Sequence, residues 1–116
     1  MKIQWASIPN ISSYVKQTLA KEASDIPLAK INFYPWHLLE MPLSSLKVDQ
    51  DLINRHDKEE LHIQRKLNFI NMIKKGEAIL PLIALGSDYF LIDGYARFRV
   101  LRDLGIEKAE IICQIC

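Results

Sequence analysis

The stretch "LIDGYARFRVLRDLG", Leu91–Gly105, decides how this chain folds. It begins as an apolar, β-prone run, breaks at Asp93–Gly94 and restarts with helical spacing. Ala96, Val100, Leu101 and Leu104 recur at i, i+4, i+5 and i+8 and share one apolar arc. Gly105 stands where a left-handed C′ glycine ends a helix. Arg97 projects into the apolar arc from the first helical turn, whereas Arg99 and Arg102 fall on the opposite side. A charge at a core-facing position is costly unless it is paired or hydrogen-bonded. Two readings account for it. In the first, the open N–H groups and partial positive charge of the helix start receive an anion. Gly94 then admits a ligand close to the backbone, and Arg97 adds a planar donor fork for phosphate oxygens. Asp93 fits this reading if it caps the helix or holds Mg2+ against the ligand, and Tyr95 offers a ring or a hydroxyl. In the second, Asp-Gly is a turn and cap, and Arg97 bridges to a carboxylate such as Glu40 or Asp103.

Outward from this turn, "ILPLIALGSDYFLID" reads as a β-hairpin turning at "GSD", with Pro81 at an edge or near a strand start. After the helix, "AEIICQI" is a last strand. Upstream, a long helix is expected from Lys58 to Lys75, with Asp57 as N-cap and Gly76 at its C-terminal end. Ile63, Leu67, Phe69, Ile70 and Ile73 form its apolar face, bordered by His62, Arg65 and Lys66. "LSSLKVDQDLINRHD" has no firm period and is expected to be loop with a helical turn or two. "LAKINF" and "WHLLEM" are short β-prone runs separated by Pro35. Residues 10–23 form a short amphipathic helix capped by Asn10 or a serine. Residues 1–27 therefore read as a helical extension and 28–116 as the core of one α+β (mixed α/β) domain.

Composition sets the limits. One domain is expected from 116 residues, and 49% hydrophobic with 25% charged residues is ordinary for a globular chain. A net charge of +1 means that any affinity for a polyanion comes from local arrangement. No apolar run approaches the roughly 20 residues of a membrane span, and the N-terminus lacks a secretory h-region. A cytoplasmic chain is expected. Cys113 and Cys116 form a C-x-x-C, but zinc takes about four ligands and no second such pair exists. The two read as strand residues on opposite faces. His37, His56 and His62 show no ligand-like spacing, so no metal site of protein side chains alone is expected.

The order of these pieces resembles the ParB/sulfiredoxin-like superfamily. Its mark is a strand ending in a G-x-x-R turn, a helix, a glycine and a final strand, here "FLIDGYARFRVLRDLGIEKAEIICQI". "LLEMPLSSL" resembles the opening strand-Pro-Leu-x-x-Leu, and "FINMIKKG" with "LPLIAL" the helix, glycine and strand before the hairpin. The similarity runs from about Tyr34 to Ile115. It implies a nucleotide of CTP or ATP type, phosphates at the turn, and Mg2+ accompanying them. Gly94 and Arg97 match the phosphate-binding pair, Asp93 matches the "DG" of many members, and Arg65 and Asn68 face the nucleotide by the same analogy. Each of these last two also reads as a solvated helix flank. Sulfiredoxins carry the catalytic cysteine where this chain has Tyr95, so sulfinic-acid reduction is not expected. G-Y-A-R replaces the G-H-H-R or G-E-R-R of many members, and Ala96 removes one polar contact. The helix-turn-helix and dimerisation segments of partition ParB proteins are not expected in a chain ending at Cys116.

Three functions follow. The first is a nucleotide-binding module, with slow hydrolysis or a switching role. The second is a small-molecule kinase of the free-serine type, with Glu40 or Asp93 as the catalytic base. The third is a DNA-associated regulator using Lys74, Lys75, Arg99 and Arg102 as a basic patch, against which stands the reading of scattered solvated charges. Whether the chain is an enzyme or a homodimer is left open by the sequence.

Overall fold

The protein was analysed as a computed structural model, which describes residues 2–22 and 35–114. The elements run α1 (Ile11–Glu22), β1 (Trp36–Pro42), a 3-10 turn (Leu43–Ser45), α2 (Gln50–His56) and α3 (Glu60–Lys74), then β2 (Leu82–Leu85), β3 (Phe90–Asp93), α4 (Tyr95–Asp103) and β4 (Lys108–Gln114). This is the small α+β architecture expected. The strands form one mixed sheet in the order β1-β4-β2-β3. β4 pairs antiparallel with β1, from Trp36 opposite Gln114 to Pro42 opposite Lys108, and parallel with β2. β2 and β3 are the expected hairpin. Pro81 lies just before β2, where its missing N–H costs no ladder bond.

Strand alternation divides the core between two faces. Ala109, Ile111 and Cys113 of β4, Leu82 and Ala84 of β2, and Leu91 of β3 pack under α3 and α4 with Ile73, Val100 and Leu101. Ile83 and Ile112 point the other way, where Val15 and Leu19 of α1 cover them. Each of the fully buried Val, Leu and Ile side chains contributes about 1.5–3 kcal/mol. The expected run 28–33 and Cys116 lie outside the described residues. Cys113 is buried, and its surroundings push the thiol pKa up, which keeps it protonated and inert.

The ends of the helices follow local chemistry. Asn10 caps α1, its Oδ1 accepting the Ser13 N–H at 3.0 Å. Gly76 and Gly105 adopt φ of 77° and 71° after α3 and α4. Asp57 departs from expectation. It is the C-cap of α2, not the N-cap of α3, which begins after Glu59. Its carboxylate is drawn instead to two arginines of α4. Leu67, assigned to the apolar face of α3, is 44% exposed, because the sheet is reached by the turn that carries Phe69, Ile70 and Ile73.

Candidate functional site

The β3–α4 turn is held by its own contacts before any ligand is considered. Gly94 has φ 99° and ψ 29° and is the N-cap of α4. A Cβ there would stand 2.5 Å from Leu82 Cδ2 and 3.1 Å from Arg97 Nη2. The space next to Gly94 is thus filled by Leu82 and Arg97, so close packing within the protein, not room for a ligand, requires this glycine. Gly94 brings no capping side chain, and the N–H groups of Tyr95, Ala96 and Arg97 have no partner among the described residues. Asp93 does not cap either.

Arg97 is 8% exposed. Its Nη1 donates to the carbonyls of Leu80 at 2.7 Å and Pro81 at 2.8 Å, and its Nη2 donates to Asp93 Oδ2 at 2.9 Å. The bridging carboxylate is therefore Asp93, one helical turn back, and neither Glu40 nor Asp103. Three of the five guanidinium N–H bonds are engaged, and the others remain as donors. The Tyr95 hydroxyl is also committed. It donates to Leu91 O at 3.0 Å and accepts the Asp49 N–H at 3.1 Å, joining the start of α2 to β3. Burial raises its pKa.

Above the turn lies a cavity of about 700 Å³, within the range of small-molecule sites. The turn from Ile92 to Arg97 lines one side. α3 supplies His62, Arg65, Asn68, Phe69 and Met72, and α2 supplies Leu52 and His56. The structure so brings together Asp93, Gly94, Tyr95, Arg97, Arg65 and Asn68 from three separate elements. Arg65 and Asn68 are exposed, and their side chains make no hydrogen bond or ion pair among the described residues. Asp93 is the one carboxylate in the lining. Glu40 is not brought to it. It lies on β1, opposite Glu110 at the far edge of the sheet, on the α1 face by alternation.

The wall from α2 to α3 is built by a residue that the helical wheel misassigns. Arg99 is fully buried, at 0% exposure. Its Nε donates to Asp57 Oδ1 at 2.7 Å, its Nη2 to His56 O at 3.1 Å and its Nη1 to His62 O at 3.2 Å. It clamps the α2–α3 elbow onto α4. Arg102 bonds Asp57 and Asp103, and the hydrogen bonds from these arginines, together with Lys66 at Asp103, hold both carboxylates below their usual pKa against the opposing effect of burial. Lys74, Lys75, Arg99 and Arg102 accordingly do not combine into a basic patch. The His56 and His62 rings, whose backbones Arg99 holds, stack with centroids 3.6 Å apart and planes 14° from parallel. Burial first, then the nearby His62 and Arg99, lower the His56 pKa. Their spacing of six along the chain carries no helical signal, since the elbow between α2 and α3 is what pairs them.

No protein-family model matches the chain, and no curated protein matches it. Among solved structures it is similar to a pNOB8-like ParB N-domain, at 25% identity and a TM-score of 0.52 over 68% of this chain. A second crystal form of such a domain matches at 23% identity and a TM-score of 0.51, again over 68%. The matches span 27% and 29% of those chains.

Proposed function

We propose, for a chain whose fold is that of a ParB N-domain, that it is a nucleotide-binding module whose cleft takes a CTP- or ATP-type nucleotide. The observation that carries this reading is the turn itself. Three backbone N–H groups without a partner among the described residues and the remaining donors of Arg97 border one cavity with Arg65, whose side chain has no ion pair among those residues. Such donors, at the positive end of a helix, suit a phosphate chain.

Mg2+ fits this set only together with the phosphates. No group of three or more His, Cys, Asp or Glu side chains among the described residues is placed to hold a metal. Asp93 Oδ2 is taken by Arg97, which leaves Oδ1 as the carboxylate oxygen available to a cation. Mg2+ often binds through one carboxylate, phosphate oxygens and water, and when bound there it would neutralise phosphate charge beside Asp93. Arg97 orients that carboxylate, and the N–H groups of Tyr95, Ala96 and Arg97 donate to phosphate oxygens. Hydrolysis or a switching role would build on this binding step.

Calorimetry with CTP and with ATP, each with Mg2+, tests the reading on the wild type and on Ala96→Glu. A carboxylate in the first helical turn favours the helix but repels phosphate at the same place. The wild type is expected to bind one of the nucleotides, and the folded variant at least about tenfold more weakly, an effect of about 1.4 kcal/mol. A wild type that binds neither refutes the reading.

A further inference from the structure

The cleft has two chemically different ends. One is the donor-rich turn from Asp93 to Arg97, and the other is formed by rings and apolar chains: His56, His62, Phe69, Leu52 and Met72. The phosphate contacts described above leave the second end without a role. We propose that the stacked imidazoles of His56 and His62 are the platform on which this cleft receives the planar base of its nucleotide. The inference rests on the nucleotide reading and adds the part of the ligand that the turn does not touch.

Geometry supports it in three ways. The two rings already lie within 14° of parallel with centroids 3.6 Å apart, and an aromatic face of this kind is what a flat base stacks on. Both line the cavity. Their support is rigid, because the fully buried Arg99 guanidinium bonds the carbonyl oxygens of both histidines and the Asp57 between them. A platform fixed before the ligand arrives loses less freedom on binding.

The electrostatics favour an uncharged His56. His56 Nδ1 is buried with no hydrogen-bond partner among the described residues. Burial first, then the nearby His62, Arg99 and Arg55, disfavour a proton on His56, and Glu59 opposes them. Glu59 also faces His62, with Oε2 3.7 Å from Nε2. A neutral His56 adds no positive charge to the stack, and burial favours that form.

The test compares a nucleotide with its charged part alone. CTP, ATP and inorganic tripolyphosphate, each with Mg2+, are titrated into wild type, His62→Ala and His62→Phe. The wild type should bind its nucleotide at least about tenfold more tightly than tripolyphosphate, in line with what stacking on one aromatic side chain contributes. His62→Ala should remove about that factor for the nucleotide and leave tripolyphosphate within about twofold, whereas His62→Phe should restore nucleotide affinity to within about threefold. In wild-type protein the imidazole C–H proton resonances of His56 and His62 should move upfield with nucleotide but not with tripolyphosphate, a readout that needs no variant to fold. Equal losses for both ligands in His62→Ala, or no upfield shift on nucleotide binding, would overturn the platform. If tripolyphosphate binds as tightly as the nucleotides, the platform falls while the anion site stands. If nothing binds, both readings fall.

Discussion

Replacing Arg99 by methionine keeps most of the buried stem and removes the charged fork. Three bonds go at once, to Asp57 Oδ1 at 2.7 Å and to the carbonyls of His56 and His62 at 3.1 and 3.2 Å. The cost is smaller than that of orphaning a buried charge, since Asp57 is 33% exposed and retains Arg102 at 3.4 Å. The two carbonyls cost about 1 kcal/mol each if water does not replace the donor, and the shortened ion pair about as much again. The expected loss is therefore about 3 kcal/mol, a large part of the roughly 5–15 kcal/mol that stabilises a domain. Urea unfolding should show it as a lower midpoint at unchanged m-value. Asp57→Asn made alone and with Arg99→Met should give a non-additive cycle, because the two side chains share one bond. A loss below about 1 kcal/mol, or strict additivity, would refute the clamp.

Gly94→Ala meets both a crowded Cβ position, 2.5 Å from Leu82 Cδ2, and φ of 99°. It should lower stability by about 2–4 kcal/mol, read from the urea midpoint; a neutral variant would contradict the close approach described. Wild-type stability should also depend on His56. Its pKa is lowered from 6.5 in the fold, so the unfolded chain binds the extra proton first as pH falls. The stabilisation from this group is complete above pH 6.5 and is lost on acidification toward the folded pKa. Melting temperatures from pH 7.5 to 5 should show a decline that His56→Phe flattens, and parallel curves for the two proteins would remove the assignment. The carboxylates of Asp57 and Asp103, lowered from 3.8, act in a separate window below that value.

The strand-turn-helix-strand order was legible because its marks are local. Gly94, Gly76 and Gly105 each punctuate the chain at a positive φ, and Asn10 caps the helix that follows it. The lining of the cleft was legible in part, through the strand-to-helix turn that pointed to Tyr95 and the resemblance that singled out Asp93, Gly94, Arg97, Arg65 and Asn68. What a wheel cannot show is a second neighbour on the polar side of a helix. α4 is covered by the sheet on one side and by the α2–α3 elbow on the other, so Arg99 is buried more deeply than Arg97. Asp57 was misread for the same reason. Its partner lies 42 residues away, and a local capping pattern competes with a distant charge that sequence alone does not place. Glu40, singled out as an upstream acid, lies instead on the opposite edge strand from β3, with β4 and β2 between, and on the other sheet face from the cleft.

Binding of nucleotide phosphates at the β3–α4 turn is the proposal on which the base platform depends. Amide resonances recorded during titration with CTP or ATP in the presence of Mg2+ test it where it is made. The largest changes are expected at Tyr95, Ala96 and Arg97, whose N–H groups lack partners among the described residues, with smaller ones at Arg65 and Asn68 across the cavity. Saturating nucleotide that leaves the turn unmoved, or perturbs only residues outside the cleft, would contradict it.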